Sequence, residues 1–123
     1  MAEYTPRFPS VNAPITQQAS ATVVGGRLVE NTGNNTVGPA GAASTKVVGV
    51  AAFDAASGQK VDVWPLPGIV HRVTGAGAIN AGDNLAAGAA GVVAPIAAGT
   101  FQQLVGVAIA PAADGATVHF MGR

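Results

Sequence analysis

Short runs of β-branched residues, each ended by glycine, asparagine or aspartate, make up the chain from about residue 21 onward. Runs of this length and composition fit the half-buried surface of a sheet. Helices are disfavoured because 17 glycines leave few windows long enough to hold one. For residues 80–90, a short helix capped by Asp83 competes with a glycine-rich turn, and the turn is the preferred interpretation. The candidate strands are residues 22–24, 27–30, 46–52, 60–64, 69–74, 92–96, 104–109 and 116–121.

One segment of the chain occurs twice. Residues 47–63 and residues 104–120, which lie 57 positions later, share a Val-Gly-Val-Ala stretch, a small-residue loop that ends in glycine, and a returning run with valine. Each copy predicts a β-hairpin. Gly49 and Gly106 stand inside the first strands, where glycine marks a bulge or a close approach of two backbones.

A weaker match extends the repeat upstream. Residues 25–28 correspond to residues 82–85, so the repeated units are predicted to span about 25–66 and 82–123. Two such units indicate pseudo-twofold halves of one small body. The fold is therefore predicted to be mainly β: a small β-barrel or β-sandwich, β-tulip-like, with two pseudo-repeated hairpins in residues 23–123.

The first 22 residues differ from the rest of the chain. Their prolines remove backbone donors and bias the preceding residues to extended geometry, which predicts an extended N-terminal arm at residues 1–22. Apolar side chains are nevertheless spaced along it, and solvent-exposed linkers usually lack such anchors. Two interpretations stay open: a frayed terminus, or an arm that becomes ordered on a partner. The spaced side chains are those of Tyr4, Phe8, Val11 and Ile15.

Charged residues are scarce. Six basic and six acidic side chains give a net charge of zero, and they make up 10% of the chain. Nucleic acid is disfavoured as a partner because its binding rests on Lys and Arg neutralising phosphates. A chain without net charge also tends to associate, so much of its surface is expected to be covered by partners or by copies of itself.

Neither a signal peptide nor a membrane span is predicted. Residues 1–10 have no basic start and no apolar run. The uncharged run at residues 84–113 is rich in alanine and glycine and interrupted by two prolines, which makes it too weakly apolar to cross a bilayer. We therefore expect no membrane partner. The chain also has no cysteine for a disulfide or a thiolate metal site.

No constellation of catalytic or metal-binding residues is evident in the sequence. Asp54, Asp83 and Asp114 fall in predicted turns, where aspartate is a common turn-forming residue. His71 and His119 lie on different predicted strands without the partner spacing of a metal site. We therefore expect no enzymatic activity, no cofactor and no metal, and a surface or interface role for the histidines.

The most distinctive local stretch is Trp64-Pro65-Leu66-Pro67. Its two prolines stiffen the chain directly after the sole tryptophan. Trp64 is interpreted either as a core aromatic side chain at a strand end or as an anchor that contacts a partner, since tryptophan is enriched in the energetic centres of interfaces. The candidate interface residues are Trp64, Pro65 and His71.

With these features the chain resembles the capsid decoration, or cement, proteins of tailed bacteriophages. The resemblance rests on the hairpin pattern at residues 48–63, with its Val-Gly-Val-Ala start and Val-x-Val return, and on its echo at residues 105–120. The proline-containing arm in front of a β-rich body and the charge-poor composition are similar as well. The resemblance covers most of the chain from about residue 25 to the C-terminus.

The resemblance implies a small β-structured virion protein, often trimeric, on the outer surface of the capsid. Such a protein would be made in the cytoplasm of the bacterial host, bind the major capsid protein and hold neighbouring subunits of the expanded shell together. It also implies that the arm can add a strand to a capsid-protein sheet. On this chain that contact would fall to Tyr4, Arg7, Phe8, Val11 and Ile15.

Two other functions are weighed against this one. The alternative is a β-sandwich binding or adhesin module that recognises a carbohydrate or protein surface. Such a module usually presents a row of exposed aromatic side chains, and Trp64 and Tyr4 are poorly placed in the sequence to form such a row. A hammerhead-type carrier domain would need a modifiable lysine at a hairpin tip, whereas Lys46 and Lys60 lie at strand starts.

Overall fold

The computed structural model describes residues 13–96 and 100–123. In this part of the chain strands are joined by turns and two single-turn 3₁₀ helices, which confirms the prediction of a mainly β fold. The strands are β1 (Ile15–Ala19), β2 (Leu28–Gly33), β3 (Thr36–Pro39), β4 (Val47–Ala51), β5 (Lys60–Pro65), β6 (Val70–Thr74), β7 (Asn84–Ala87), β8 (Val93–Pro95), β9 (Gly106–Ala108) and β10 (Thr117–Gly122). The 3₁₀ helices are Ala89–Gly91 and Phe101–Gln103.

The first five strands form a closed barrel in the order β1-β3-β2-β4-β5. Neighbouring strands are antiparallel except β1 and β3, which pair in parallel, and β1 closes the barrel by pairing with β5. Because successive side chains of a strand point to opposite faces, alternate residues meet in a common interior. Small and β-branched side chains fill that interior: Ala19, Val23, Val29, Val37, Ala51, Ala55, Val61 and Val63.

The last five strands repeat this arrangement. Their order is β6-β10-β9-β7-β8, which is the barrel order when β6 is matched to β1, β7 to β2, β8 to β3, β9 to β4 and β10 to β5. A parallel bridge between Gly75 and Val93 joins the two ends of this second sheet. It corresponds to the parallel pairing of Ala19 with Val37 in the barrel.

Backbone hydrogen bonds at the strand ends recur in both halves with similar lengths. The offset between matched residues is 56 as far as β3 and its counterpart β8, and 57 from β4 and its counterpart β9 onward. Hydrogen bonding thus confirms the repeat that the sequence predicted. Matched bonds join Gly26 N to Ala51 O and Gly82 N to Ala108 O, at 2.8 and 2.7 Å, and Val23 N to Ala55 O and Ile79 N to Ala112 O, both at 2.9 Å.

The repeated unit is longer than the sequence predicted. Its first copy begins at Ile15, because Ile15–Ala19 is strand β1 and is paired on both sides. The predicted arm boundary at residue 22 is therefore corrected, and the segment from residue 15 onward belongs to the β body. Each copy also builds a five-stranded sheet of its own, instead of contributing one hairpin to a shared barrel.

The outer face of the barrel packs against the second sheet. Leu28 and Val50 lie opposite each other on β2 and β4 and point away from the barrel interior, and Leu66 follows β5. All three are at most 6% exposed and share one apolar cluster with the second sheet. Burial of each such side chain contributes about 1.5–3 kcal/mol. The cluster residues of the second half are Val73, Ile79, Leu85, Ala87, Val93, Val105, Ala108, Val118 and Phe120.

Gly49 and Gly106 lie where two backbones approach each other. A Cβ atom at Gly49 would overlap the carbonyl oxygen of Trp64, and one at Gly106 would overlap that of Met121. Neither glycine has a positive φ, so the lack of space requires glycine here, not the backbone conformation. The predicted close approach is confirmed in both copies.

We predict that Gly49→Ala and Gly106→Ala each lower the free energy of unfolding by about 1–3 kcal/mol, because the added methyl group forces neighbouring strands apart. Gly41→Ala is the matched control, since its Cβ would meet no atom nearer than the Glu30 Oε1 at 3.9 Å. Urea denaturation followed by circular dichroism measures the three values. Equal stability of Gly49→Ala and Gly41→Ala would contradict the prediction.

Candidate interaction surfaces

Four of the five predicted arm residues, Tyr4, Arg7, Phe8 and Val11, lie outside the described residues. The fifth, Ile15, is the first residue of β1 and is half-buried. It pairs with Val63 across β1 and β5, so its side chain points into the barrel rather than toward a partner. The N-terminal segment therefore joins the body at one end of the barrel.

That end of the barrel is open, and we call it the barrel mouth. It holds a cleft of about 300 Å³. Its floor is apolar, because Val63 is 3% exposed and continues into the barrel core. Side-chain amides stand around this floor, and the Asn31 Nδ2 donates to the carbonyl oxygens of Gly33 and Thr36 over 3.0 and 3.4 Å. The lining residues are Ile15, Gln17, Asn31, Asn35, Val48, Val63 and Pro65.

A second concave surface, the outer groove, lies between the outer face of the barrel and β6. Its volume is about 400 Å³. Trp64 is 38% exposed at this groove and belongs to neither apolar cluster, so the interpretation of Trp64 as a core side chain is wrong. Val70 is 48% exposed beside it. The groove is lined by Gly26, Val50, Ala51, Ala52, Trp64, Ile69, Val70, His71 and Arg72.

His71 is buried, which contradicts the predicted surface role. Its side chain is 5% exposed, and its ring centre lies 5.4 Å from that of Phe120. Its Nε2–H donates to the carbonyl oxygen of Pro65 over 2.9 Å and less closely to that of Leu66 over 3.3 Å. Two carbonyl acceptors require the proton to be on Nε2. Burial lowers the pKa of His71, and the two hydrogen bonds oppose this shift only in part.

The strand register explains the position of His71. It lies opposite Phe120 on β10, and Phe120 is fully buried. His119, one residue earlier on β10, is exposed, as its alternation with Val118 and Phe120 predicted. His71 therefore fastens the connection after β5 to the second sheet. Pro65, the third candidate interface residue, is half-buried at the barrel mouth.

Asp83 forms a turn as predicted, whereas Asp54 and Asp114 each join two separate loops. Asp54 accepts the backbone N–H of Gly25 over 2.7 Å, and Asp114 accepts that of Gly77 over 2.8 Å. Asp83 accepts the N–H of Asn80 over 2.8 Å and closes the turn before β7, where the sequence favoured a turn over a helix. These carboxylates are occupied in holding loops together.

Within residues 13–96 and 100–123, no group of three or more His, Cys, Asp or Glu side chains is placed to hold a metal ion. The same residues contain no helix with the length and apolar character needed to cross a membrane.

Sequence reasoning missed the barrel mouth because it assigned the first strand to the arm. The alternation of Ile15, Gln17 and Ala19 was the available signal, since these residues share one face of a strand. All three point inward in β1, through pairing with β5 or burial in the core. That Asn31 and Val48 line the barrel mouth could not have been predicted from the sequence, because a register shift in the β2–β4 pairing determines their positions.

Comparison with known proteins gives one family and one fold. A family model described as phage cement protein matches residues 10–122. Among solved structures, the chain is similar to the N base of the head fiber protein gp8.5 of bacteriophage phi29, with a TM-score of 0.68 and 24% sequence identity. That similarity covers 89% of this chain and 92% of the other, and at this identity it shows a shared fold alone. No curated protein matches the chain.

We predict that acid lowers the stability of the protein partly through His71. Because burial lowers the pKa of His71 in the folded state, the unfolded chain binds a proton first as the pH falls through about 6.5. The neutral His71 side chain therefore makes its full contribution to the free energy of unfolding above about pH 7, and this contribution is lost as the pH falls. His71→Gln should therefore show a smaller decrease in melting temperature between about pH 7.5 and pH 5 than the wild-type protein.

The exposed His119 provides the control. His119→Gln should keep the wild-type pH dependence. The attribution of the acid destabilisation to His71 would be wrong if His119→Gln flattened the dependence of the melting temperature on pH while His71→Gln left it unchanged.

Proposed function

The chain belongs to the phage cement protein family, whose members are structural proteins of the phage capsid, and from that premise we propose how it acts. It binds the outer surface of the capsid as a trimer, contacts the major capsid protein and stabilises the expanded shell by bridging neighbouring subunits. The observation that carries this proposal is the match of the family model to nearly the whole chain, residues 10–122.

The chemistry of the surface supports attachment to protein rather than to DNA. The chain has no net charge, so it offers no excess of cations to neutralise phosphates. Large apolar side chains are nevertheless exposed on the described body, and exposed apolar surface is typical of a site that contacts another protein. The most exposed of them are Phe101, Ile109, Val70, Phe53 and Val24, at 69%, 53%, 48%, 47% and 46%.

Closure of the barrel supports a role for the N-terminal segment. A closed barrel has no free strand edge with which to extend another sheet. The barrel itself therefore offers no strand for addition to a capsid-protein sheet, whereas the segment in front of β1 contains apolar and basic side chains among its prolines. Tyr4, Arg7 and Phe8 supply the capsid contacts in this proposal. Val11 is the fourth residue of the segment to which the proposal assigns a capsid contact.

The outer groove is the proposed contact between copies in the trimer. Trp64 and Val70 are exposed side by side at this groove, and tryptophan is a frequent energetic centre of interfaces. Three linked arms would bind neighbouring capsid subunits at once, so individually weak contacts would become collectively strong. A trimer with three arms would therefore bridge neighbouring capsid subunits by binding alone and would need no catalytic group.

The arm is tested with the variant Tyr4→Ala/Arg7→Ala/Phe8→Ala. We expect it to lose capsid binding by at least about tenfold while it folds normally, because three side-chain contacts are removed. Binding is measured by co-sedimentation with capsids from a phage that lacks this protein. The control replaces Thr74, Gln102 and Thr117, which are exposed on the body, with alanine. Equal binding of the two variants would refute the role of the arm.

The trimer is tested by sedimentation equilibrium of the isolated protein. We expect a trimer for the wild-type chain and dissociation to monomers for Trp64→Glu, since the substitution removes the aromatic contact and buries a charge in the interface. Phe53→Glu places the same charge at another exposed aromatic position, which is 47% exposed, and should remain trimeric. A monomeric wild-type protein at high concentration would refute this part of the proposal.

A further inference from the structure

The outer face of the second sheet is the counterpart of a face that is covered in the first half. Leu28 and Val50 lie opposite each other on β2 and β4, and the second sheet buries them. Asn84 and Val107 are paired in the same way on β7 and β9. In contrast to the first pair, Asn84 is exposed and Val107 is half-buried. The repeat therefore leaves one of two equivalent faces open.

Apolar side chains surround Asn84 on this open surface, which we call the sheet face. Met121 and Val70 continue the row of Val107 across β10 and β6, and they are 40% and 48% exposed. Val70 also lines the outer groove, so the sheet face is continuous with the surface assigned to the trimer contact. Exposed apolar surface of this kind indicates a protein partner. The sheet face consists of Val70, Asn84, Ile96, Val107 and Met121.

Two hydrogen bonds between the halves show which element covers the equivalent face of the first half. The Gly91 N–H donates to the carbonyl oxygen of Ala40 over 2.9 Å, and the Arg27 Nη1 donates to that of Ala90 over 3.3 Å. Ala90 and Gly91 form the turn between β7 and β8. The tip of the β7–β8 hairpin of the second half is thus seated on the first half.

The corresponding turn of the first half is exposed at the barrel mouth. Asn34 and Asn35 join β2 to β3 at the positions of Ala90 and Gly91. Asn35 and Gly91 both have a positive φ, of 57° and 79°, so the two turns have related backbones. Asn35 also lines the barrel mouth. The first half therefore presents a polar version of the turn that makes the contact within the chain.

The two open surfaces match in polarity. Within the chain, the small residues of the β7–β8 turn lie against Leu28 and Arg27. Asn84 takes the position of Leu28 in the second half, and Asp83 takes that of Arg27. The Oδ2 of Asp83 accepts the N–H of Asn80, and its Oδ1 accepts no hydrogen bond from the described residues. Polar partners therefore stand where the exposed turn has amide side chains, which can donate to a carboxylate.

We propose that the sheet face of one copy of the protein docks head to tail on the barrel mouth of the next copy. The contact repeats between copies the contact that joins the two halves of one chain. In this arrangement Val107 and Ile96 cover Val48, which is 40% exposed at the mouth, whereas its counterpart Val105 in the covered half is 1% exposed. A contact of this type uses a different surface on each copy and can close into a ring. The inference rests on the proposed trimer for the number of copies in that ring.

The contact between copies is less close than the contact within the chain. A Cβ atom at Gly91 would lie 2.6 Å from the carbonyl oxygen of Leu28, so the internal contact requires glycine at this position. Asn35 carries a side chain there, which holds the neighbouring copy further away. We therefore expect copies to separate from one another while the two halves of each chain stay together.

Sedimentation equilibrium of two variants tests the contact. Val107→Glu/Met121→Glu alters the sheet face, and Asn34→Glu/Val48→Glu alters the mouth. Each should associate at least about tenfold more weakly than the wild-type protein, because carboxylates would be buried in the interface. An equimolar mixture of the two variants should form dimers that contain one chain of each, since each variant keeps the surface that the other lacks.

The matched control is Phe53→Glu/Ala113→Glu, which adds the same charge at two exposed loop positions and should associate as the wild-type protein does. Circular dichroism checks that all three variants are folded. Association of either test variant at the control level, or a mixture that stays monomeric, overturns the head-to-tail contact. A monomeric wild-type protein would refute the proposed trimer together with this contact, whereas wild-type trimers with unaffected variants would refute the contact alone.

Disulfide cross-linking tests the same contact without added charge, and the chain contains no cysteine of its own. Labelled with ¹⁵N, the Asn34→Cys variant is mixed with unlabelled Asn84→Cys and oxidised. Disulfides that join the two variants should form at least about tenfold faster than disulfides within either variant alone, because the two positions would meet only across the contact between copies. Ala113→Cys replaces Asn84→Cys in the control mixture. Mass spectrometry identifies the products, and equal rates for the two mixtures overturn the proposal.

Discussion

The packing of the barrel's outer face against the second sheet is the contact on which the rest of this structure depends. Leu28, Val50 and Leu66 leave the first half and complete the core of the second. This contact joins two copies of one unit into a single apolar cluster, and it buries His71 against Phe120. It also makes the two halves unequal, since Val48 at the barrel mouth is 40% exposed whereas its counterpart Val105 is 1% exposed. A duplicated sequence has thereby produced an asymmetric molecule.

Local features of the fold could be predicted from sequence because glycine and aspartate act over short distances. Gly49 and Gly106 were recognised inside strands, and steric overlap at both sites explains their identity. The turn at Asp83 was recognised for the same reason, as its carboxylate bonds to the backbone amide of Asn80 in the same loop. Asp54 and Asp114 were placed in loops, but their partners Gly25 and Gly77 lie 29 and 37 residues away and could not be predicted from the local sequence.

Long-range pairing could not be predicted in the same way. β1 was assigned to the arm because nothing in its own residues shows that it will pair in parallel with β3. A uniform offset of 57 also matched Leu28 to Leu85, although Leu28 points out of the barrel and Leu85 pairs with Gly106 as Val29 pairs with Gly49. A change of one residue in the offset reverses the face of a strand. The exposure of Trp64 and the burial of His71 both follow from such registers.

The position of β1 has a mechanical consequence. This strand is hydrogen-bonded on both sides, to β3 and to β5, and the segment assigned to capsid attachment leads directly into it. Tension on that segment along the strand direction would load two ladders of hydrogen bonds in shear at once, because bonds between strands run across the strand axis. Separating the strand would require many of these bonds to break together rather than one after another. Under the proposed attachment, a load on the N-terminal segment would therefore act along the direction in which β1 resists separation most strongly.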